Sequence, residues 1–152
     1  MSLLVEAGAD KEKASNNEIT ALGMAAARGH PDTVTFLIEA GADKEKPQID
    51  GMTTLGIAAM NGQLEVVRLL LEAGADKEMA FVNGMTTLTA LMIASAKGQL
   101  DVVQILLEAG ADKEKPQMHG MTKVMIAAVS GHVDFVRILL EAVLWFSDSK
   151  NF

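Results

Sequence analysis

Three histidines, His30, His119 and His132, and a recurring pair of carboxylates are the side chains of this sequence best placed to do chemistry. The carboxylates fall at Asp10 and Glu12, Asp43 and Glu45, Asp76 and Glu78, and Asp112 and Glu114, a spacing that could offer oxygen ligands to calcium or magnesium. A lysine stands inside each pair, Lys11, Lys44, Lys77 and Lys113, and offsets its charge, so the set reads as a solvated, self-neutralising ladder of loops. No catalytic constellation forms around the histidines, because the chain has no tyrosine and no cysteine. His119, beside Gly120, suits a turn or a contact. Without cysteine there are no disulfides, thiolate metal sites or thiol catalysis. The 13 glycines include no Gly-x-Gly-x-x-Gly phosphate cradle. No catalytic residue, metal ligand or cofactor is expected, and the chain is expected not to be an enzyme.

The elements behind these side chains follow from composition and period. The chain has 152 residues, 49% apolar and 22% charged, a globular composition with enough length for one substantial core. Its net charge of −7 repels phosphate backbones, so no nucleic-acid partner is expected. No apolar run approaches the ~18 residues of a membrane span, and Glu6 and Asp10 follow Met1 too closely for a signal peptide. The expected location is cytoplasmic. The phrase Ala-Gly-Ala-Asp occurs at 7–10, 40–43, 73–76 and 109–112, offsets of 33, 33 and 36 residues. Such a period signals stacked repeats. Each unit predicts two short helices. The first, near Thr53 to Met60, is rich in small residues and ends at Gly62. The second runs from about Leu64 to Ala73, with Leu64, Val67, Leu70 and Leu71 on one apolar stripe, and stops at Gly74. A polar hairpin follows. One helix pair cannot bury its own apolar faces, so neighbours must supply the core.

The recurring opener, Ala-Ala, Gly-His, Val-Val, Leu-Leu-Leu and Gly-Ala-Asp phrases resemble those of ankyrin-repeat proteins from Ala7 to Ala142. The resemblance implies an all-α solenoid of helix-turn-helix pairs joined by β-hairpin-like loops. It would be a single domain over 1–152, with a partial repeat at 1–10, repeats at about 11–43, 44–76, 77–112 and 113–146, and a tail at 147–152. His30 and His132 would be structural rings at the Gly-His position. Where the family opener has Pro and His, this chain has Ala21 and Gly23, Thr54 and Gly56, Ala90 and Met92, and Lys123 and Met125. The family's Thr-to-His network between repeats is therefore expected to be absent. Gly23 and Gly56 fall inside predicted helices, where glycine costs ~1 kcal/mol relative to alanine, so Gly56→Ala should raise the melting temperature. The 36-residue spacing places three extra residues around Thr86 to Leu88. Three residues rotate a helix by ~300°, so they should lengthen the hairpin or add a helical turn at its end, as a neutral insertion or a shaped contact.

The resemblance also implies a non-enzymatic module that binds a protein partner on its concave face, through hairpin tips and the exposed side of each first helix. Carried over by position, these are Ile49, Asp50, Met52, Met60 and Asn61 in the second repeat, and Val82, Asn83, Met85, Ala96 and Lys97 in the third. The fourth gives Met118, His119, Met121, Val129 and Ser130, and the first hairpin gives Asn16, Asn17, Ile19, Ala27 and Arg28. Met52, Met85 and Met121 follow the hairpin glycine in three consecutive repeats. Either they form an adaptable apolar stripe for a partner, or each packs against the next hairpin. The chain starts within a second helix, and Val143-Leu144-Trp145-Phe146 replaces the usual glycine stop. Three readings follow: a piece of a longer array, a makeshift cap, or self-association through Trp145 and Phe146. The competing function is a structural spacer within a larger ankyrin-repeat protein whose activity lies in another domain.

Overall fold

A computed structural model describes residues 10–16, 18–79, 81–83 and 86–111, together with Gly8, Gly131, Val133, Asp134, Val136 and Arg137; the two short strands are described by their backbone. The elements run α1 (Ala21–Arg28), α2 (Pro31–Glu39), a 3-10 turn (Ile49–Gly51), α3 (Thr54–Met60), α4 (Leu64–Glu72), β1 (Phe81–Asn83), β2 (Thr86–Leu88), α5 (Ala90–Lys97) and α6 (Leu100–Glu108).

A threonine opens each first helix of a pair. Thr20 Oγ1 accepts from the Gly23 amide, Thr53 Oγ1 from Gly56 and Thr89 Oγ1 from Met92, at 3.2, 3.2 and 3.5 Å. Each hydroxyl satisfies one amide that the helix start leaves without a partner. Gly29 and Gly98 end α1 and α5 in the left-handed conformation, at φ 69° and 76°, which glycine adopts without steric cost. The second helices use other starts, such as Pro31 at the first position of α2.

Packing joins α1 to α3 and α3 to α5 in one row, and α2 to α4 and α4 to α6 in another. The first row is called the inner helices below and the second the outer. Alanines Ala25, Ala26, Ala58, Ala59 and Ala94 are at most 5% exposed and let the inner helices approach closely. Val34, Leu37, Val66, Val67, Leu70, Val102, Val103 and Leu106 fill the space to the outer row in one continuous core. Val66 was not part of the expected stripe, whereas Leu64 and Leu71 are only partly buried at its margin.

The three extra residues lengthen the hairpin. β1 and β2 pair antiparallel in the register Phe81↔Leu88, Val82↔Thr87 and Asn83↔Thr86, and β1 lies against the 3-10 turn of the preceding repeat. Thr89 keeps its place as the helix cap, so the insertion leaves the inner row undisturbed.

Two expectations are corrected. The carboxylate ladder is not merely solvated. Each aspartate turns its own loop, Asp10, Asp43 and Asp76 accepting from the amides of Glu12, Glu45 and Glu78 at 2.9 Å. The glutamates then reach forward, the Asp43 amide donating to Glu12 Oε1 at 2.8 Å and the Asp76 amide to Glu45 Oε1 at 2.9 Å. Lys46 Nζ reinforces the first of these links, donating to the Glu12 carbonyl at 2.7 Å. Between the first two repeat openers, where no link was expected without the family's histidine, one is made on other atoms. Gln48 is 3% exposed; its Oε1 accepts from both the amide and hydroxyl of Thr20 at 3.0 Å, and its Nε2 donates to Thr54 Oγ1 at 2.9 Å. The carboxamide occupies the space a Cβ on Gly23 would need. Gly23 stands where the family has histidine, so a glutamine from the next repeat fills the missing ring's place.

Candidate interaction face

On the inner helices, the helical period sets which side chains face away from the core. Met24 and Arg28 are an i, i+4 pair on α1, and counting from the capping threonines puts Ile57 and Asn61, then Ile93 and Lys97, at the same positions of the next two repeats. Met52, Ile57 and Ile93 form a buried apolar cluster separate from the main core, with Ile19, Ala27 and Met60 partly buried against it. Met24 is 43% exposed and Ile49, at the hairpin tip, 38%. The result is an apolar strip across three repeats. At one end of each inner helix lie the tips, where Glu18 and Asp50 are exposed at φ 59° and 55°. At the other end lie Arg28, Asn61 and Lys97, all exposed. Asn61 is held in place by its own amide group, Nδ2 donating to the Ile57 carbonyl at 2.8 Å.

The residues singled out in the sequence divide accordingly. Ile49, Asp50, Asn61, Ala96, Lys97, Asn16 and Arg28 are exposed, and Met60, Ile19 and Ala27 are partly so. Val82 and Asn83 lie on β1, paired with Thr87 and Thr86. Met52 is corrected in one respect: it is 7% exposed and packs with Ile57 on α3 and Ile93 on α5, so it does not stand open on the surface. Asn17, Met85, Met118, His119, Met121, Val129, Ser130, His132, Trp145 and Phe146 lie outside the described residues. Met24 was overlooked, although its place one turn before Arg28 on the helix face is readable from the period.

His30 is exposed at the start of α2, its amide donating to the Ala25 carbonyl. At the equivalent position Gln63 reaches back to the preceding repeat, Nε2 donating to the Ala27 carbonyl at 3.1 Å and lying over Gly29. Gln99 lies over Gly62 in the same manner. Between the outer helices, Leu64, Arg68, Asp101, Gln104, Ile105 and Glu108 line an open cleft of about 140 Å³, below the roughly 300 Å³ at which small-molecule sites begin. Among the described residues, no three His, Asp or Glu side chains converge as metal ligands do. Among them too, no helix is long and apolar enough to cross a membrane.

Stacked helix pairs, threonine-opened inner helices and hairpin loops at a 33-residue period define a helical-repeat solenoid. The chain belongs to the ankyrin-repeat family: the model described as ankyrin repeats (3 copies) matches residues 1–81 and 77–148. No curated protein matches it. Ankyrin repeats are generally protein–protein interaction modules, and the family is typically non-enzymatic.

Proposed function

We propose that the chain is a binding module that receives a partner protein on its inner-helix face, the concave side of the solenoid, between the hairpin tips and the far ends of α1, α3 and α5. The observation that carries this reading is the second apolar cluster. It is not needed to close the core between the two helix rows. It underlies a surface on which Met24 and Ile49 remain substantially open. A stacked, hydrogen-bonded scaffold keeps the ordering cost of binding low, and tip side chains that differ between repeats supply selectivity. Met60, Ala27 and Ile19 complete the apolar floor.

The test is capture of a partner from lysate of the source cell by the wild-type chain, by Met24→Asp with Ile49→Asp, and by Glu65→Lys on the outer face. Thermal melts should show all three folded. The reading expects the partner to be lost from the inner-face variant and retained by the outer-face one. Retention by the inner-face variant, or equal loss from both, would overturn it.

A further inference from the structure

The two faces of the solenoid carry different charge. The outer helices α2, α4 and α6 hold six exposed carboxylates, Asp32, Glu39, Glu65, Glu72, Asp101 and Glu108, against one exposed cation, Arg68. The inner helices α1, α3 and α5 hold no carboxylate, and their only charges are Arg28 and Lys97, both in the last turn. In a chain of net charge −7, the charges of these inner helices are therefore both cations at one edge of the face. Glu18 and Asp50 stand at the opposite edge, before the capping threonines Thr20 and Thr53. The floor between the edges is as wide as an inner helix is long. Eight residues span ~12 Å, which is about the diameter of one α-helix with its side chains.

We infer that the occupant of this face is a single amphipathic helix of a partner protein, its apolar stripe flanked by carboxylates on one side and by lysines or arginines on the other. This rests on the reading of the inner-helix face as the binding surface. The helix lies across the repeats with its apolar stripe on Met24, Ala27 and Met60. Its carboxylates meet Arg28 and Lys97, and its cations meet Glu18 and Asp50. Because the two edges differ in sign, the helix is accepted in one direction along the array and rejected in the other. The edges therefore supply orientation and on-rate more than affinity.

Two synthetic helical peptides with the same leucine stripe test this on the full chain. One carries glutamates along one flank and lysines along the other; its control carries glutamines on both. Binding is measured by fluorescence anisotropy at low salt and at ~1 M salt, where the screening length falls to ~3 Å. The mixed-charge peptide should bind about tenfold more tightly than the control at low salt, the combined effect of several exposed pairs, and lose that advantage at high salt. Arg28→Glu with Lys97→Glu should abolish the advantage, and Arg68→Glu on the outer face should leave it. Equal binding of the two peptides would overturn the charge inference and leave the binding face standing. An Arg68→Glu effect as large as the inner-edge one would also overturn it, since the general field would then be responsible. If neither peptide binds, both readings fail. Sedimentation of the chain alone completes the test: a dimer that Arg28→Glu with Lys97→Glu converts to monomer would make a second copy the occupant and overturn the inference.

Discussion

Gln48 is fitted to an absence one repeat away. Its carboxamide lies where a side chain on Gly23 would be, and satisfies the Thr20 amide, the Thr20 hydroxyl and the Thr54 hydroxyl in a buried setting. Gln48→Ala should cost roughly 2–3 kcal/mol in a denaturant melt, because buried polar groups lose their partner. Gly23→Ala alone should also destabilise, since the new methyl overlaps the glutamine. In the Gln48→Ala background the same change should stabilise, the space now being free and alanine the better helix former by ~1 kcal/mol. A change of sign in that cycle is the specific signature of the pair. Gly56 differs from Gly23: a Cβ there would sit 3.3 Å from Ile93 Cδ1, the end of a side chain able to give way. Gly56→Ala should therefore still raise the melting temperature, by less than the full helix-propensity gain. Met52→Ala should lower stability by about 2 kcal/mol through loss of packing on Ile57 and Ile93.

At the scale of elements, most of the fold was legible in the sequence. Thr53, Gly62 and Gly74 bracket helices that the structure places at Thr54–Met60 and Leu64–Glu72. These boundaries are set by local chemistry, a hydroxyl on an amide or a glycine at positive φ, and local chemistry is written in adjacent residues. The candidate face was only partly legible. Arg28, Lys97 and Ile49 follow from repeat position. The burial of Met52 depends on Ile93, two helices further along the chain, and the Gln48 bridge depends on a glycine 25 residues before it. Neither pairing has a local signal, because the stack creates it. The longer hairpin allows a test at this scale. Deleting 86–88 removes β2 but joins Gly84-Met85 directly to Thr89-Ala90-Leu91, the same order as Gly51-Met52-Thr53-Thr54-Leu55. Helical content by circular dichroism should be unchanged, and the melting temperature should shift by only a few degrees; loss of the fold would show that the ladder supports α5.

Among the described residues, side chains tie successive loops and repeats together in both directions along the array. Glutamates reach forward, Glu12 to the Asp43 amide and Glu45 to the Asp76 amide, while Gln48 and Gln63 reach back. Stability in such an array is a sum of units and nearest-neighbour terms, so cutting one link should loosen the coupling without unfolding a unit. Glu45→Ala should lower the denaturant midpoint by about 1 kcal/mol equivalent and broaden the transition, whereas Glu45→Gln, which keeps the accepting oxygen, should stay close to wild type.

The two kinds of link also differ in what they demand of a neighbour. The loops at Asp10, Asp43, Asp76 and Asp112 each carry both an aspartate to receive and a glutamate to give, so by that contact the copies they join are interchangeable. The glutamine bridge is particular: 28 residues after the capping threonines Thr20, Thr53 and Thr89 the chain has Gln48, Phe81 and Gln117, so the copy 77–112 has no glutamine to offer the one before it. Exchanging 44–76 with 77–112 would bring Phe81 to the place of Gln48 and deprive Gly23 of its bridging partner. Tandem duplication can extend this array freely, but shuffling its copies carries a penalty, so the order of the copies is itself an inherited trait.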